Sequence, residues 1–304
     1  MRWAHGCRAV EVVVTSASAP APSCVRCLGI AVKKDGRRSA TGQRFRCHGC
    51  RRTFTPRTGT PFAGYRWPLE VITTAVRWYF RYRLSAADVR DLLAERHLDV
   101  SARTVLAWAH TFGPLLAAEG RRHARRVGTT WYADETYVRV AGRWVYLYRA
   151  VDEYGQVVDV LLRAHRDLES ARAFFDQAIA RRGVRPRVVI TDKHAAYRRA
   201  VRRRAWRAAH IRTGLHRARG ETTKPIERAH VPVKDRVRPM RGLQSIATGQ
   251  RLLEGIELAH AIRHGHLGAS TVSGSAGRRR SPHERAREAA DAFTRLASAL
   301  SDAA

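Results

Sequence analysis

The chain has 304 residues, room for two or three modest domains with a real core. Its 57 Lys and Arg outweigh 26 Asp and Glu, a formal charge of +31 that is mostly arginine and spread along the chain. That surplus implies a polyanionic partner, because basic side chains that neutralise phosphates release counterions. No segment approaches about 18 uncharged apolar residues, which argues against a membrane partner. Five cysteines in so long and basic a chain make a poor disulfide framework, so a reducing compartment is expected, the cytoplasm at the nucleoid.

Residues 1–20 are small, rich in Ala, Ser and Pro, and without periodicity; Glu11 interrupts the apolar run, and a disordered leader is expected. Residues 21–62 carry two cysteine pairs, Cys24-x-x-Cys27 and Cys47-x-x-Cys50, with 19 residues between them, while Cys7 stands alone. Two such knuckles can close four thiolates around one tetrahedral Zn²⁺ and leave no open position, which makes the site structural. A redox dithiol is the rival reading, and a second pair at this spacing weighs against it. The stretch lacks the apolar bulk to fold alone, so the ion is expected to carry the fold of a zinc ribbon. Gly36, Gly42 and Gly49 are expected at turns, and QRFRC and RRTFTPRTGTPF as short strands.

Residues 67–118 read as helices. WPLEVITTAVRWYFRYR places Leu69, Ile72, Val76, Tyr79 and Phe80 at helical spacing. Ser85, with Asp88 three residues on, predicts a capped helix over Ala86–Ala94; HLDV is a turn, and Ser101 caps a second helix over Ala102–His110. Two short helices at a tight turn resemble a helix-turn-helix, whose second helix enters the major groove; Arg103 and Thr104 would sit at its reading end. An ordinary helical hairpin is the rival reading. Trp108 is expected in the core. Residues 119–130 are expected as a basic linker.

A catalytic segment is expected over 127–266. WYADETYVRV and RWVYLYRAVD alternate like half-buried strands joined at Ala141-Gly142, and YGQVVDVLLRAH gives a third. LESARAFFDQAIARR reads as a helix, RPRVVITD as a buried strand, HAAYRRAVRRR as a basic helix and AAHIR as a fifth strand, an α/β order with three adjacent antiparallel strands. Residues 235–268 are largely helical. The tail, 267–304, starts as a Gly/Ser/Arg linker, with one amphipathic helix expected in SPHERAREAADAFTRLASAL.

Three acids in this segment stand at telling places. Asp134 lies within the first strand, Asp192 ends the apolar Val188–Ile190 run, and Glu227 follows Pro225, a helix-start signal; 34 residues separate the last two. Carboxylates suit hard cations such as Mg²⁺ or Mn²⁺, and two such ions can clamp an in-line phosphoryl displacement. Asp134 could bridge both ions, Asp192 hold one and Glu227 the other. Glu135 points to the opposite strand face and is not expected as a ligand; Asp152 and Asp159 are nearby alternatives.

The motifs around these acids carry a resemblance. DETYVRVAGRWVYLYRAVDEYG, VITDKHAAY, IERAHVPVKDRVRPMRGLQS and GIE, with QRFRC-x-x-C, TGTPF and LSAADVRDLLAERHLDVSARTVLAW, resemble the DDE transposases of bacterial and archaeal insertion sequences, in particular the IS-six group, over roughly residues 24–266. The resemblance implies an RNase H-like core, a mixed five-stranded sheet with flanking helices, preceded by the zinc ribbon and the helix-turn-helix. It implies Asp134, Asp192 and Glu227 as the metal-holding triad, and Lys234, seven residues past Glu227, as a cation for DNA phosphate beside it. His230 also matches the pattern and is expected near the DNA. Arg228-Ala229 departs from the polar pair frequent in the family, and Pro232 is expected to disturb the helix and the aim of Lys234. The implied reaction is metal-dependent hydrolysis that frees a 3′-OH at the element's end, followed by attack of that hydroxyl on target DNA, performed by a homo-oligomer that holds two ends. The alternative is a non-catalytic zinc-ribbon and helix-turn-helix regulator, or a decayed transposase.

Overall fold

The computed structural model describes residues 23–36, 42–205, 207–213, 224–240, 243–268 and 281–302. The expected leader and the linker over 269–280 lie outside them. The chain divides into two compact units between Trp67 and Pro68.

The first unit is a three-stranded antiparallel sheet of β1 (Val32–Lys34), β2 (Phe45–Cys47) and β3 (Thr53–Phe54), in that order. Phe45 pairs across the strands with Phe54, and their rings stack at 5.7 Å between centroids. The buried apolar cluster here is Cys24, Cys47 and Phe54. Gly36 and Gly42 take positive φ, as turns require. The strand expected after Arg52 is shorter than its sequence suggests: beyond Thr55 the chain turns, and Thr58 and Thr60 hydrogen-bond within those turns.

The second unit is built on a mixed five-stranded sheet of order β6-β5-β4-β7-β8, comprising β4 (Thr130–Val140), β5 (Arg143–Asp152), β6 (Val157–Arg163), β7 (Val188–Thr191) and β8 (Ala209–Arg212). The first three strands are antiparallel neighbours; β7 runs parallel to β4, and β8 parallel to β7. The β4–β5 hairpin turns on Ala141 and Gly142, both at positive φ, the geometry whose twist suits a two-residue turn. Alternation along β4 gives the sheet two faces. Trp131 and Ala133 face a core of Phe174 and Phe175 from α4 (Leu168–Arg182) and Tyr197 from α5 (Ala195–Arg204). α4 is capped by the Asp167 carboxylate at its start and ended by Gly183 at positive φ. The other face meets α6 (Lys224–Val237) and α7 (Ile246–Arg263).

The remaining helices are α1 (Leu69–Arg81), α2 (Ala86–Ala94), α3 (Ala102–Arg122) and α8 (Pro282–Asp302). The Ser85–Asp88 capping box and the Ser101 cap form as expected. α3 does not stop at His110. It continues through Pro114 to Arg122, so residues 119–122 are helix rather than linker. Pro114 forfeits one helix hydrogen bond, but Phe112, Leu116, Ala117 and Gly120 are buried around it, and burial outweighs that local loss. Trp108 is core. The Phe80 ring of α1 lies so close to α3 and α7 that a Cβ added at Gly113 or Gly255 would stand 2.8 or 2.3 Å from it. α8, expected in the tail, buries Ala289, Ala292, Phe293, Leu296 and Ala297 and contacts α1, α3 and α7. One buried ion pair fastens α7 to the sheet: Arg149 Nε and Nη2 donate to the two Glu257 oxygens at 2.9 and 3.0 Å. Among the described residues no helix is long and apolar enough to cross a membrane.

Candidate active site

Asp134 and Glu135 leave β4 on opposite faces, and each finds different surroundings. The parallel register that sets Tyr132 beside Ile190 carries Asp192, just past the end of β7, level with Asp134. Carboxylate oxygens of Asp134, Glu135 and Asp192 lie within 4.8 Å of one another. Glu135 belongs to the α4–α5 face, as its position predicts, yet at the strand edge its carboxylate still reaches this group. Its side chain is 2% exposed and is held by Arg166 and by the Tyr197 hydroxyl. Burial pushes the Glu135 carboxyl above the usual range, against the opposing pull of Tyr197 and Arg166. Arg166 also donates to Asp192 Oδ2 at 3.0 Å, so one guanidinium bridges two of the three acids. Asp192 Oδ1 accepts from the His194 N–H at 2.9 Å, which fixes its rotamer.

On the other face α6 runs along β4. Ile226, His230, Val233 and Val237 are buried at helical spacing, while Glu227, Val231, Pro232 and Lys234 are exposed. This pattern answers the expectation about Pro232. The helix continues through it, because the carbonyl freed by the missing N–H belongs to exposed Arg228 and can turn to water. Glu227 and Lys234 stay two turns apart on one exposed stripe. His230 is 5% exposed and does not present itself to solvent; its Nε2 stands 3.5 Å from Asp134 Oδ2. Among the described residues neither of its ring nitrogens has a hydrogen-bond partner. Glu227, one turn earlier, is not among the carboxylates that meet within 4.8 Å. The far end of α6 is anchored on α1 by buried Arg236, which donates to the Tyr79 and Leu84 carbonyls.

The alternative acids are spent elsewhere. Asp152 accepts from the Gly128, Tyr154 and Gln156 N–H groups and shapes the β5–β6 turn. Asp159 pairs with Arg181 and Gln177. Arg103 is exposed in the first turn of α3, whereas Thr104 is half-buried and joined to Ser101 at the helix cap. Sequence reading missed Arg166 and Tyr197. Arg166 precedes the α4 cap, and Tyr197 lies five residues past Asp192 within VITDKHAAY; their adjacency to an acid is visible only once β4, β6 and β7 are aligned.

The four cysteines converge. Sγ of Cys24 and Cys50 lie 3.7 Å apart, and those of Cys27 and Cys47 3.5 Å. A tetrahedral zinc with ~2.3 Å bonds sets sulfurs roughly 3.8 Å apart, so the donors fit that ion. Leu28 and Arg51, each following the second cysteine of its pair, take the same left-handed φ of 59° and 57°, so the two knuckles turn alike. The Arg26 N–H leads in lowering the Cys24 thiol to about 6. Although the Gly29 N–H favours the Cys27 thiolate, contact with the Cys47 and Cys24 sulfurs raises Cys27 to about 11. A dication removes that conflict.

Residues 128–266 match the family described as a DDE domain. Over 193 residues the chain is 36% identical to the transposase for insertion sequence-like element IS431mec of Staphylococcus aureus strain Mu50, covering 64% of this chain and 84% of that protein. It is 35% identical, over the same shares, to the Staphylococcus aureus transposase for insertion sequence element IS257 in transposon Tn4003. Among solved structures, the catalytic core domain of BIV integrase aligns at 16% identity and a TM-score of 0.32, covering 41% of this chain and 81% of that one. Identity sustained along most of a transposase, together with a family match over 128–266 that includes both β4 and α6, places the chain in a family: it belongs to the DDE transposases of insertion sequences, in the IS-six group.

Proposed function

We propose that this DNA transposase cuts and joins strands with Asp134, Asp192 and Glu227 as its metal-holding acids. The observation that carries the reading is the meeting of Asp134, within β4, and Asp192, just past the end of the neighbouring β7, with α6 laid against the Asp134 side through His230. Oxygen donors suit Mg²⁺ or Mn²⁺, and two such ions, when bound, would supply Lewis-acid charge to the entering and leaving oxygens. In the first step a water oxygen attacks phosphorus at the element's end; the P–O3′ bond breaks and leaves a 3′-OH. In the second that 3′ oxygen attacks a target phosphodiester, and the target's own 3′ oxygen departs.

The chain's residues prepare this chemistry. His230 Nε2 stands 3.5 Å from the Asp134 carboxylate on its α6 side. Arg166 neutralises Glu135 and Asp192, and can turn to a phosphate once cations take over that charge. Lys234 lies on the Glu227 stripe, two turns on, where an ammonium meets DNA backbone. α2 and α3 form the helix-turn-helix that binds the element's ends, with Arg103 at the reading end and Thr104 serving the cap. The ribbon holds one structural Zn²⁺ on Cys24, Cys27, Cys47 and Cys50. Two ends held together require a homo-oligomer, acting in the cytoplasm at the nucleoid.

The test is strand cutting and joining on duplex DNA that carries the element's ends, with and without Mg²⁺. Wild type should join only with the metal, while Asp134→Asn and Asp192→Asn should bind the ends and not join. Joining by either variant at the wild-type rate would overturn the assignment.

A further inference from the structure

We propose that the outer part of the β4–β5 hairpin is a stacking platform for unpaired bases of single-stranded DNA next to the acids, an inference that rests on the function just given. Tyr137 is 51% and Trp144 62% exposed, although both stand on regular strands of the central sheet. They share the face of Glu135: the register pairs Glu135 with Tyr148, Tyr137 with Tyr146 and Arg139 with Trp144. Near the acids that face is covered, since Tyr148 is buried against Phe174 and Tyr197. Further out, among the described residues, the rings project without cover. They are nevertheless held: Tyr137 lies 5.1 Å from Tyr146 and 6.4 Å from Trp144 between centroids, and Tyr146 packs on the core.

The surroundings select the occupant. The Arg139 guanidinium sits 5.3 Å from the centre of the Trp144 ring, and Arg163, opposite Tyr146 in the register, and Arg166 extend the positive edge toward Asp192. A second copy of this chain would bring the same arginines against these and repel; a polyanion is attracted. Bases inside an intact duplex stack on one another and offer no free face, whereas unpaired bases stack on aromatic rings while arginines follow the backbone. Tyr137 lies two residues beyond Glu135 on one strand face, so the platform is continuous with the carboxylate group. A strand separated from its complement and held at the acids would lay its next bases on Tyr137 and Trp144.

The experiment is fluorescence anisotropy with the full chain, without divalent metal and at one fixed salt concentration. The probes are a labelled thymine oligonucleotide of about 12 nucleotides and a blunt duplex of the same length. Tyr137→Ala and Trp144→Ala should each weaken binding to the single strand by roughly 5- to 100-fold and binding to the duplex by less than about 2-fold. Trp144→Phe should keep most of the single-strand affinity. Single-strand affinity within about 2-fold of wild type in both alanine variants, at an unchanged melting temperature, would overturn the proposal. So would a shift in oligomeric state, read by light scattering, in place of the affinity loss. Asp192→Asn separates the two readings: it should bind the single strand at least as tightly as wild type, since it frees Arg166, and its joining activity tests the acids alone.

Discussion

In the first unit four sulfurs crowd together around a cluster that, among the described residues, buries Cys24, Cys47 and Phe54. In the second, three carboxylates meet beside a core that joins Trp131 and Tyr148 of the sheet to Phe174 and Tyr197 of α4 and α5. The thiols have little but one another, and an ion that satisfied all four would close the site. The carboxylates are already supported by Arg166, Tyr197 and the His194 N–H, and Asp192 keeps 37% of its side chain in solvent. The difference separates a metal that makes a fold from a metal that uses one. The fold of the second unit should therefore be indifferent to cations that its reaction requires.

Removing zinc gives the widest contrast. Apparent zinc affinities of such peptides are worth about 10 kcal/mol or more, so chelation should release amide protection over Cys24–Phe54 and leave α1–α8 protected, read by hydrogen exchange. Protection retained in the ribbon after the metal is gone would break the comparison. Next is Glu257→Ala, which strands Arg149 with no exposed surface; urea unfolding of the second unit should lose about 3–5 kcal/mol, with ribbon exchange unchanged. Gly255→Ala drives a methyl into the Phe80 ring and should cost about 1–3 kcal/mol in the same assay.

Smaller per pH unit, though cumulative, is a pH dependence of the second unit alone. Burial, with Arg149 and the neighbouring His264 and His266, lowers His260 from 6.5 to about 3, and burial with His264 and nearby arginines lowers His266 to about 4. Between pH 6.5 and about 4 the unfolded chain binds protons that the folded chain refuses, so stability present above pH 6.5 is lost as pH falls. Each group should contribute a slope of about 1 kcal/mol per pH unit below pH 6. His260→Gln should flatten the urea midpoint against pH; an unchanged slope would contradict this account.

Local signals in the sequence were read well where the physics is local. The paired cysteines, the Ser85–Asp88 box and the alternation of β4 each depend on residues a few positions apart, and each forms as its spacing predicts. Two expectations about helices fail: α3 runs past His110 through Pro114, and Pro232 does not break α6, because buried stripes on both helices outweigh one lost hydrogen bond, a tertiary effect that no window of sequence contains. The neighbours of the acids were hidden for a related reason. Arg166 lies 31 residues from Glu135 and 26 from Asp192, and in so arginine-rich a chain nothing marks it out before the strands are aligned.

The central claim is that the third acid comes from α6 and not from β4, although it is Glu135, and not Glu227, whose carboxylate groups with those of Asp134 and Asp192. The direct measurement is Mg²⁺-dependent strand joining by Glu227→Gln and Glu135→Gln side by side. The account predicts that Glu227→Gln falls to the level of Asp134→Asn, roughly 10⁴-fold or more below wild type, while Glu135→Gln stays within about 10-fold. Joining retained by Glu227→Gln and abolished in Glu135→Gln would contradict it, and would assign the triad to Asp134, Glu135 and Asp192.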